Sequence, residues 1–244
     1  PGTDRIIQAG YQHRYSNLLQ KVASLIEHGA IGEISKIECQ WNRNGDWRRP
    51  VPSPEYERLV NWRMYREYSG GLAAELSSHQ MDIVEWIMDT RPARIMGTGG
   101  VDYWKDGRET RDNIHLLVEY DNGVTASYTS LTTNAHEGFR MTFLGTKGTI
   151  VTSLEEAWVS TDGKGEDAPE DVDAVSGATM YLGSGPGYRI KPARFNPTRN
   201  ALAGFRESVL SNTTPAASVD YALITARTVQ LSLDAMDSGS VVSF

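Results

Sequence analysis

The sequence predicts an α+β fold, in which an open, predominantly antiparallel β-sheet carries helices on one face. The first observation is that segments of alternating apolar and polar residues are separated by short turns, as in β-hairpins. The second is that helical periodicity is concentrated towards the two ends of the chain. The third is the lack of a regular strand–helix–strand alternation, which a parallel sheet would show. With 244 residues, the chain is expected to form a single domain over residues 1–244.

The first part of the chain is expected to contain two strands and two helices. Residues 5–11 favour a short strand, and apolar residues then recur at helical spacing after Ser16. Ser16 is suited to cap the start of that helix, and Gly29 can supply the left-handed residue that ends it. Residues 33–41 alternate as a strand, and residues 70–90 have the periodicity of a second helix.

The middle of the chain is expected to consist of hairpins. Asn122-Gly123 is the residue pair favoured in a type I′ turn, and it lies between two alternating segments. A second strand–turn–strand unit is predicted around the glycines of residues 145–148. Residues 160–192 are rich in Gly, Asp and Ser and are expected to form a surface insertion.

The last part of the chain is expected to be helical. Asn196-Pro197 is suited to start a helix whose apolar residues, Leu202, Phe205 and Val209, share one stripe. A further helix is predicted near residues 219–237, followed by a final short strand.

Composition excludes several classes of function. The formal charge of −7 argues against a general nucleic-acid binder, which needs clustered Lys and Arg. No apolar run approaches the roughly 20 residues of a membrane span. The single Cys39 excludes an intrachain disulfide and a multi-cysteine metal site. The glycines of residues 97–100 and 145–148 lack the G-x-G-x-x-G spacing of a dinucleotide loop, so no Rossmann domain is expected in this chain.

Residues 42–69 combine arginines with tryptophans, including Trp47, Trp62 and Arg63. Indole rings stack on the C–H faces of sugars, while arginines reach hydroxyls or a carboxylate. The patch is compatible with carbohydrate or anion binding, and equally with a solvated loop or a loop at an oligomer interface.

The predicted helix at residues 70–90 carries the strongest catalytic candidate. Glu75 and Asp82 flank His79 on the same side of the helix, within one turn each. A carboxylate beside an imidazole fixes its tautomer, so that the histidine can take a proton from a hydroxyl. One alternative is a half-buried histidine satisfied by a helical neighbour. Another is a metal site, which is not favoured because no second cluster supplies further ligands.

Several segments resemble one known family. Residues 8–43, "QAGYQHRYSNLLQKVASLIEHGAIGEISKIECQWNR", and residues 70–99, "GGLAAELSSHQMDIVEWIMDTRPARIMGTG", carry most of the likeness. "VEYDNGVTASY", "FLGTKGTI" and residues 201–235 extend it. The chain resembles the second domain of the glucose–fructose oxidoreductase, inositol dehydrogenase and rhizopine-catabolism (Gfo/Idh/MocA) family. That resemblance implies the open sheet of a dihydrodipicolinate-reductase-like domain.

The resemblance also implies roles for individual residues. His79 matches the family's acid/base histidine, and Glu75 stands where the family usually has Asp. Arg14 matches an arginine that often faces the substrate, and Asn42 or Asn44 matches a substrate-contacting asparagine. The substrate-binding residues expected on these grounds are Arg14, Asn42, Asn44, Trp47, Trp62, Arg63, Asp82, Asn134 and His136.

For function, the resemblance implies hydride transfer between NAD or NADP and a carbinol carbon of a sugar or polyol. The cofactor would be bound mainly by an N-terminal Rossmann domain that also supplies a lysine, so this chain alone is expected to bind no cofactor and to be inactive. A homo-oligomer formed through the sheet face is expected, with no nucleic-acid or membrane partner. The expected location is the cytoplasm, or the periplasm if a leader precedes the first domain. The alternative is a non-catalytic carbohydrate-binding or oligomerisation module.

Overall fold

The computed structural model describes residues 5–161, 187–190 and 196–244 of the chain, and these carry one large sheet with helices. Its strands are β1 Ile34–Asn42, β2 Pro92–Gly100, β3 Asn113–Tyr120, β4 Thr125–Leu131, β5 Phe139–Gly145, β6 Gly148–Thr152, β7 Ala157–Thr161, β8 Gly187–Ile190 and β9 Val242–Ser243. Its α-helices are α1 Asn17–Glu27, α2 Glu57–Val60, α3 Ser78–Met88, α4 Pro197–Ser211 and α5 Val219–Ser238. Single 3₁₀ turns occur at Gln12–Tyr15, Pro54–Tyr56 and Trp62–Met64, and a π-helical turn at Ala73–Ser77.

The strand order across the described sheet is β8-β7-β6-β5-β1-β4-β3-β2-β9. Among the described strands, β1 and β4 pair in parallel at the centre, and the other neighbours are antiparallel. The sheet is therefore mixed but mostly antiparallel, which confirms the predicted class. The central parallel pair was not predicted, because the sequence shows alternation within a strand but not which distant strand lies beside it.

Alternation along the strands gives the sheet one covered and one open face. In β1, Ile37, Cys39 and Trp41 are buried in the apolar core, while Lys36 and Glu38 are exposed. Successive strand residues point to opposite faces, so the first three face the helices and the other two face away. The core lies between the sheet and the helices, and it positions everything that the helices display.

The segment before α3 departs from regular helical geometry. Gly71 has φ +58°, and a Cβ there would lie 3.1 Å from the Cβ of Thr110, so glycine is required. The π-helical turn Ala73–Ser77 follows and leads directly into α3. The hydroxyl of Ser78 donates to the carbonyl of Ala74 at 2.5 Å. Such turns change the angular offset between side chains on either side of them, and they occur frequently at functional sites.

The predicted start and end signals of α1 are present. The Ser16 hydroxyl accepts a hydrogen bond from the Leu19 amide, and Gly29 has φ +72°. Gly239 likewise ends α5 with φ +63°. Local propensity and tertiary structure agree at these three positions.

Two expectations need correction. Residues 5–11 make a single bridge, Gln8 with Ser218, rather than a strand. Asn122 does not have the positive φ of a type I′ turn; only Gly123 does, at +85°, and the hairpin uses a longer loop closed by Tyr120 and Val124.

The expected insertion at residues 160–192 has its two flanks in strands β7 and β8, and most of the remainder lies outside the described residues.

The predicted apolar stripe of α4 is exposed in part: Leu202 is 65% and Val209 51% exposed.

Candidate active site

His79 lies in the first turn of α3, with three aromatic rings around it. Its ring centroid is 5.7 Å from that of Tyr11, 5.4 Å from that of His13 and 5.7 Å from that of Trp41. The residue is half-buried, and its Nδ1 atom is buried without a hydrogen-bond partner among the described residues. The exposed part of the ring is therefore on its other atoms, which leaves Nε2 as the nitrogen able to meet a ligand.

Burial lowers the pKa of His79 below its ordinary value of 6.5, and the nearby Glu75 carboxylate opposes that shift. The imidazole is neutral at pH 7 as a result. A neutral imidazole with one accessible nitrogen can accept a proton from a hydroxyl, which is the chemistry of a general base.

Glu75 does not have the partner that the sequence indicated. Its carboxylate accepts from Arg63 Nε at 2.7 Å and from the Ser69 hydroxyl at 3.4 Å. No hydrogen bond joins it to His79: Glu75 lies within the π-helical turn Ala73–Ser77, and its carboxylate is bonded to Arg63. Glu75 acts on His79 through charge, and Arg63 belongs to the surroundings of the site through Glu75.

Arg14 and Asp82 are not free to bind a substrate, which corrects both assignments. Arg14 is 2% and Asp82 0% exposed, and Arg14 Nε and Nη2 donate to the Asp82 carboxylate at 2.8 to 3.0 Å. The guanidinium also stacks over the Tyr221 ring at 4.1 Å. These groups tie the turn before α1 to α3, which is a structural role.

A second buried carboxylate lies one turn further along α3. Glu85 is 4% exposed, and its two oxygens accept from the hydroxyls of Thr225 and Thr228, each at 2.6 Å. Burial raises the pKa of Glu85 from 4.5 to about 7, although both hydrogen bonds lower it. The folded protein therefore binds this proton more tightly than the unfolded chain does.

That difference predicts how Glu85→Gln changes stability with pH. The cost of ionising Glu85 is absent below pH 4.5 and grows between pH 4.5 and 7, where the folded state holds more protons. Glutamine removes this cost and can still bond both threonines. Its amide oxygen accepts from one threonine hydroxyl, and its NH₂ group donates to the other, which then donates to a carbonyl of its own helix. We expect the variant to gain about 2–3 kcal/mol in the free energy of unfolding at pH 8, and much less at pH 5.

Urea unfolding at the two pH values measures this effect. Glu27→Gln, at an exposed carboxylate in the last turn of α1, is the matched control and should show no such pH-dependent gain. An equal effect of Glu85→Gln at both pH values would contradict the assignment.

The arginines of the 42–69 loop are mostly engaged within the protein, which limits its predicted role as an anion-binding patch. Arg48 pairs with Glu57 and Asp106. Carboxylates also pair with Arg58, Arg63 and Arg66. Trp47 is half-buried with φ +62° and packs against the core. The half-buried Trp62 lies under the Arg63 guanidinium, 4.2 Å away, and thus adjoins Glu75.

The predicted residues Asn42, Asn134 and His136 form a group of their own. The Asn42 amide donates to the carbonyl of His136 at 3.2 Å, and the Asn134 side chain accepts from the His136 amide at 2.7 Å. Strand alternation puts Asn42 on the opposite face of the sheet from its neighbour Trp41, which contacts His79. The exposed Asn44 continues this group through a bridge to Thr133. None of these contacts reaches His79.

Three residues near His79 were not singled out from the sequence. Tyr11 and His13 precede α1, and Trp41 ends the covered face of β1. Burial, with the Asp82 and Glu85 charges, raises the pKa of Tyr11 to about 12, so its hydroxyl stays protonated at neutral pH. The only sequence signal was their position beside residues already noted, because their contacts join segments far apart in the chain.

No group of three or more metal-ligating side chains is found among the described residues, so the alternative of a metal site gains no support there. A hollow of about 380 Å³ between residues 66–72 and α5 has no His79 atom in its lining. Chemistry at this site depends on the imidazole and the rings around it.

Comparison with known proteins places the chain in a family. A model described as the GFO/IDH/MocA C-terminal domain matches residues 19–151, which is more than half of the chain. The chain therefore belongs to the GFO/IDH/MocA family.

Individual relatives agree with this membership. The Bacillus subtilis (strain 168) protein YteT, named as an oxidoreductase, is 21% identical over 209 residues, covering 59% of this chain and 47% of that protein. An aldose-aldose oxidoreductase from Caulobacter crescentus, complexed with glycerol, superposes with TM-score 0.73 and 19% identity, covering 98% of this chain and 64% of that one. An inositol dehydrogenase homolog from Azotobacter vinelandii, complexed with NADH and myo-inositol, superposes with TM-score 0.70 and 18% identity. The superposition covers 99% of this chain and 65% of that one.

The chain thus spans about half the length of that curated relative and about two thirds of the two solved chains. None of the described helices combines the length and the apolar content that crossing a membrane requires.

Proposed function

We propose that this chain is the substrate-binding, histidine-bearing domain of an NAD(P)-dependent oxidoreductase that acts on a CH–OH group of a sugar or polyol. One observation carries the proposal: the half-buried His79 is neutral at pH 7 and is flanked by aromatic rings. In the oxidative direction, His79 Nε2 takes the proton of the substrate hydroxyl. The bound dinucleotide supplies the hydride acceptor.

The rings around His79 support a carbohydrate substrate. The half-buried Tyr11 presents apolar surface on which the C–H face of a sugar packs, and the buried Trp41 packs against the imidazole from the core. Arg43 lies with its guanidinium 5.5 Å from the centre of the Trp41 ring and adds donors for hydroxyl groups. The solved relatives complexed with glycerol and with myo-inositol support the same class of substrate.

The described residues do not fit the pyrophosphate of a dinucleotide. Gly97, Gly99 and Gly100 belong to strand β2, and Gly145 and Gly148 flank the β5–β6 hairpin. A dinucleotide loop requires a strand-to-helix turn, where the helix N-terminus meets the pyrophosphate. We infer that the cofactor is held by residues that the relatives carry outside the part they share with this chain. This chain together with those residues is called the longer protein below.

The exposed apolar stripe of α4 supports such an additional domain. Leu202 and Val209 are more than half exposed, and the N-terminal segment runs alongside them, with Gln8 donating to the Ala201 carbonyl at 3.1 Å. A domain that precedes this segment would lie beside the stripe and cover it.

Activity measurements on the longer protein test the proposal. We expect NADH or NADPH to bind to the longer protein but not to this chain alone, and a panel of sugars and polyols to reveal dinucleotide-linked turnover. A longer protein that binds no dinucleotide would contradict the proposal. Carbohydrate binding without turnover would instead favour a non-catalytic module.

The open sheet face supports a homo-oligomer. Met96, Leu117 and Trp158 are 45%, 41% and 51% exposed on that face, and Met96 pairs directly with Leu117. A second copy that packs on this face would remove their apolar surface from water. We expect Leu117→Asp to dissociate the oligomer, as measured by light scattering during size-exclusion chromatography. A monomeric wild type at high concentration, or an unchanged oligomer in the variant, would contradict the assignment.

A further inference from the structure

His13 is held rigidly against His79 by its neighbours in sequence. It lies in the 3₁₀ turn Gln12–Tyr15 and is 5% exposed. The next residue, Arg14, is clamped by Asp82, and the Tyr15 carbonyl accepts from the Asn200 side chain at 3.3 Å. Contacts with α3 and with α4 therefore fix the backbone of the turn, and with it the position of the His13 ring.

The surroundings of His13 are otherwise aromatic. Its ring centroid is 6.1 Å from that of Trp41, 5.7 Å from that of Phe139 and 5.4 Å from that of His79. The planes of the two imidazoles are nearly perpendicular, at 79°. Among the described ring pairs of His13, the partner that is also an imidazole is His79.

Both imidazoles have a buried nitrogen without a hydrogen-bond partner among the described residues. These atoms are His13 Nε2 and His79 Nδ1. A buried polar atom without a partner costs about 1–3 kcal/mol, so an arrangement that joins the two atoms is strongly favoured. The two ring centroids are 5.4 Å apart, close enough for a direct hydrogen bond or one bridging water between suitably oriented rings.

The groups facing the pair decide its protonation. Burial, with a smaller effect of the neighbouring His79, lowers the pKa of His13 to about 4, so His13 is neutral at pH 7 and one of its two ring nitrogens can accept a hydrogen bond. Glu75 faces His79 from the preceding turn but is bonded to Arg63, and Tyr11 remains a neutral phenol. His13 consequently occupies the position beside His79 where catalytic histidines commonly have a carboxylate or a carbonyl.

We propose that His13 is a positioning residue for His79: its Nε2 accepts the Nδ1 proton of His79, directly or through one water, and thereby keeps Nε2 of His79 bare. The catalytic meaning of this contact rests on the proposed function, whereas the tautomer itself does not. His13 touches no reacting atom and acts through the second imidazole.

Nitrogen NMR of the histidine rings tests the inference. In ¹⁵N-labelled protein at pH 7.5, a protonated ring nitrogen is distinguished from a bare one by its chemical shift, and His79→Gln assigns the signals of His79. We expect His79 to carry its proton on Nδ1 in the wild type and to shift towards Nε2 protonation in His13→Leu. His13→Gln retains an acceptor oxygen and should retain the Nδ1 proton.

Controls keep the result interpretable. His28→Leu, at an exposed histidine just after α1, should leave the His79 signals unchanged. If His13→Leu does not fold, His13→Phe fills the same aromatic position without an acceptor. A wild-type His79 protonated on Nε2, or a tautomer that persists in the folded apolar variants, would overturn the inference.

Kinetics of the longer protein separate this inference from the proposed function. If the latter holds, His13→Leu lowers kcat more than KM, and His13→Gln partly restores kcat. If the tautomer shifts as expected but no dehydrogenase activity is found, the positioning role of His13 stands and the proposed function fails.

Discussion

Replacing His79 by glutamine in the longer protein is expected to lower kcat by about 10²–10⁴-fold, the usual contribution of a positioned acid or base. Glutamine has a similar size and forms hydrogen bonds, but it takes no proton at neutral pH. The amide of glutamine can also donate to His13 Nε2, and the side chain is half-buried, so stability should change little. Steady-state kinetics and dinucleotide titration measure the two expected effects separately: turnover is lost, and the dissociation constant of the dinucleotide is unchanged.

The matched control for this variant is His28→Gln. His28 is exposed just after the end of α1, and its replacement should leave kcat unchanged. A His79→Gln enzyme with a kcat close to that of the wild type would show that another group carries the proton.

Arg14→Met is expected to destabilise the fold by about 3–5 kcal/mol, because it leaves the fully buried Asp82 carboxylate without its cation. Burial already raises the pKa of Asp82 to about 6 against the opposing effect of Arg14. Without Arg14 that pKa rises further, so the folded protein would retain the proton that the unfolded chain releases. The loss of stability should therefore be largest at high pH and should shrink as the pH falls and Asp82 is protonated.

Chemical denaturation at several pH values above and below the Asp82 pKa of about 6 measures the effect. The double variant Arg14→Met/Asp82→Leu is the control, since it buries no charge and should be markedly more stable than Arg14→Met alone. A single variant that loses less than about 1 kcal/mol, as an exposed ion pair would, is incompatible with a buried structural pair. A loss of activity without a loss of stability would return Arg14 to the substrate site.

Much of the fold could be predicted from local sequence. The cap at Ser16, the left-handed Gly29 and the alternation of Ile37, Cys39 and Trp41 each depend on neighbours a few residues away. The parallel pairing of β1 with β4 depends on contacts between residues that are about 90 positions apart, for example Lys36 with Thr125, and no local pattern encodes it.

The stripe on α4 shows a related limit. Helical periodicity correctly located an apolar face through Leu202 and Val209, but periodicity does not indicate what covers such a face. Within the described residues Leu202 and Val209 are more than half exposed, which the periodicity alone does not indicate.

The candidate site was predictable in part for the same reason. The position of His79 on a helix followed from spacing, whereas the partners of Glu75 and Asp82 did not. Arg63 and Arg14 reach these carboxylates from other segments, and an arginine for a substrate looks identical in sequence to an arginine for an internal ion pair. His13 was missed because its contact with His79 spans 66 positions and follows no helical or strand period.

The pH dependence of kcat/KM for substrate oxidation, compared between the longer protein and its His79→Gln variant, tests most directly whether His79 carries the proton. With the pKa of His79 lowered below 6.5, wild-type activity should fall as the pH drops through that lowered value and should be level above it. The residual activity of the variant should lack this inflection. An identical inflection in both proteins would show that a different group titrates, and would contradict the assignment of His79 as the base.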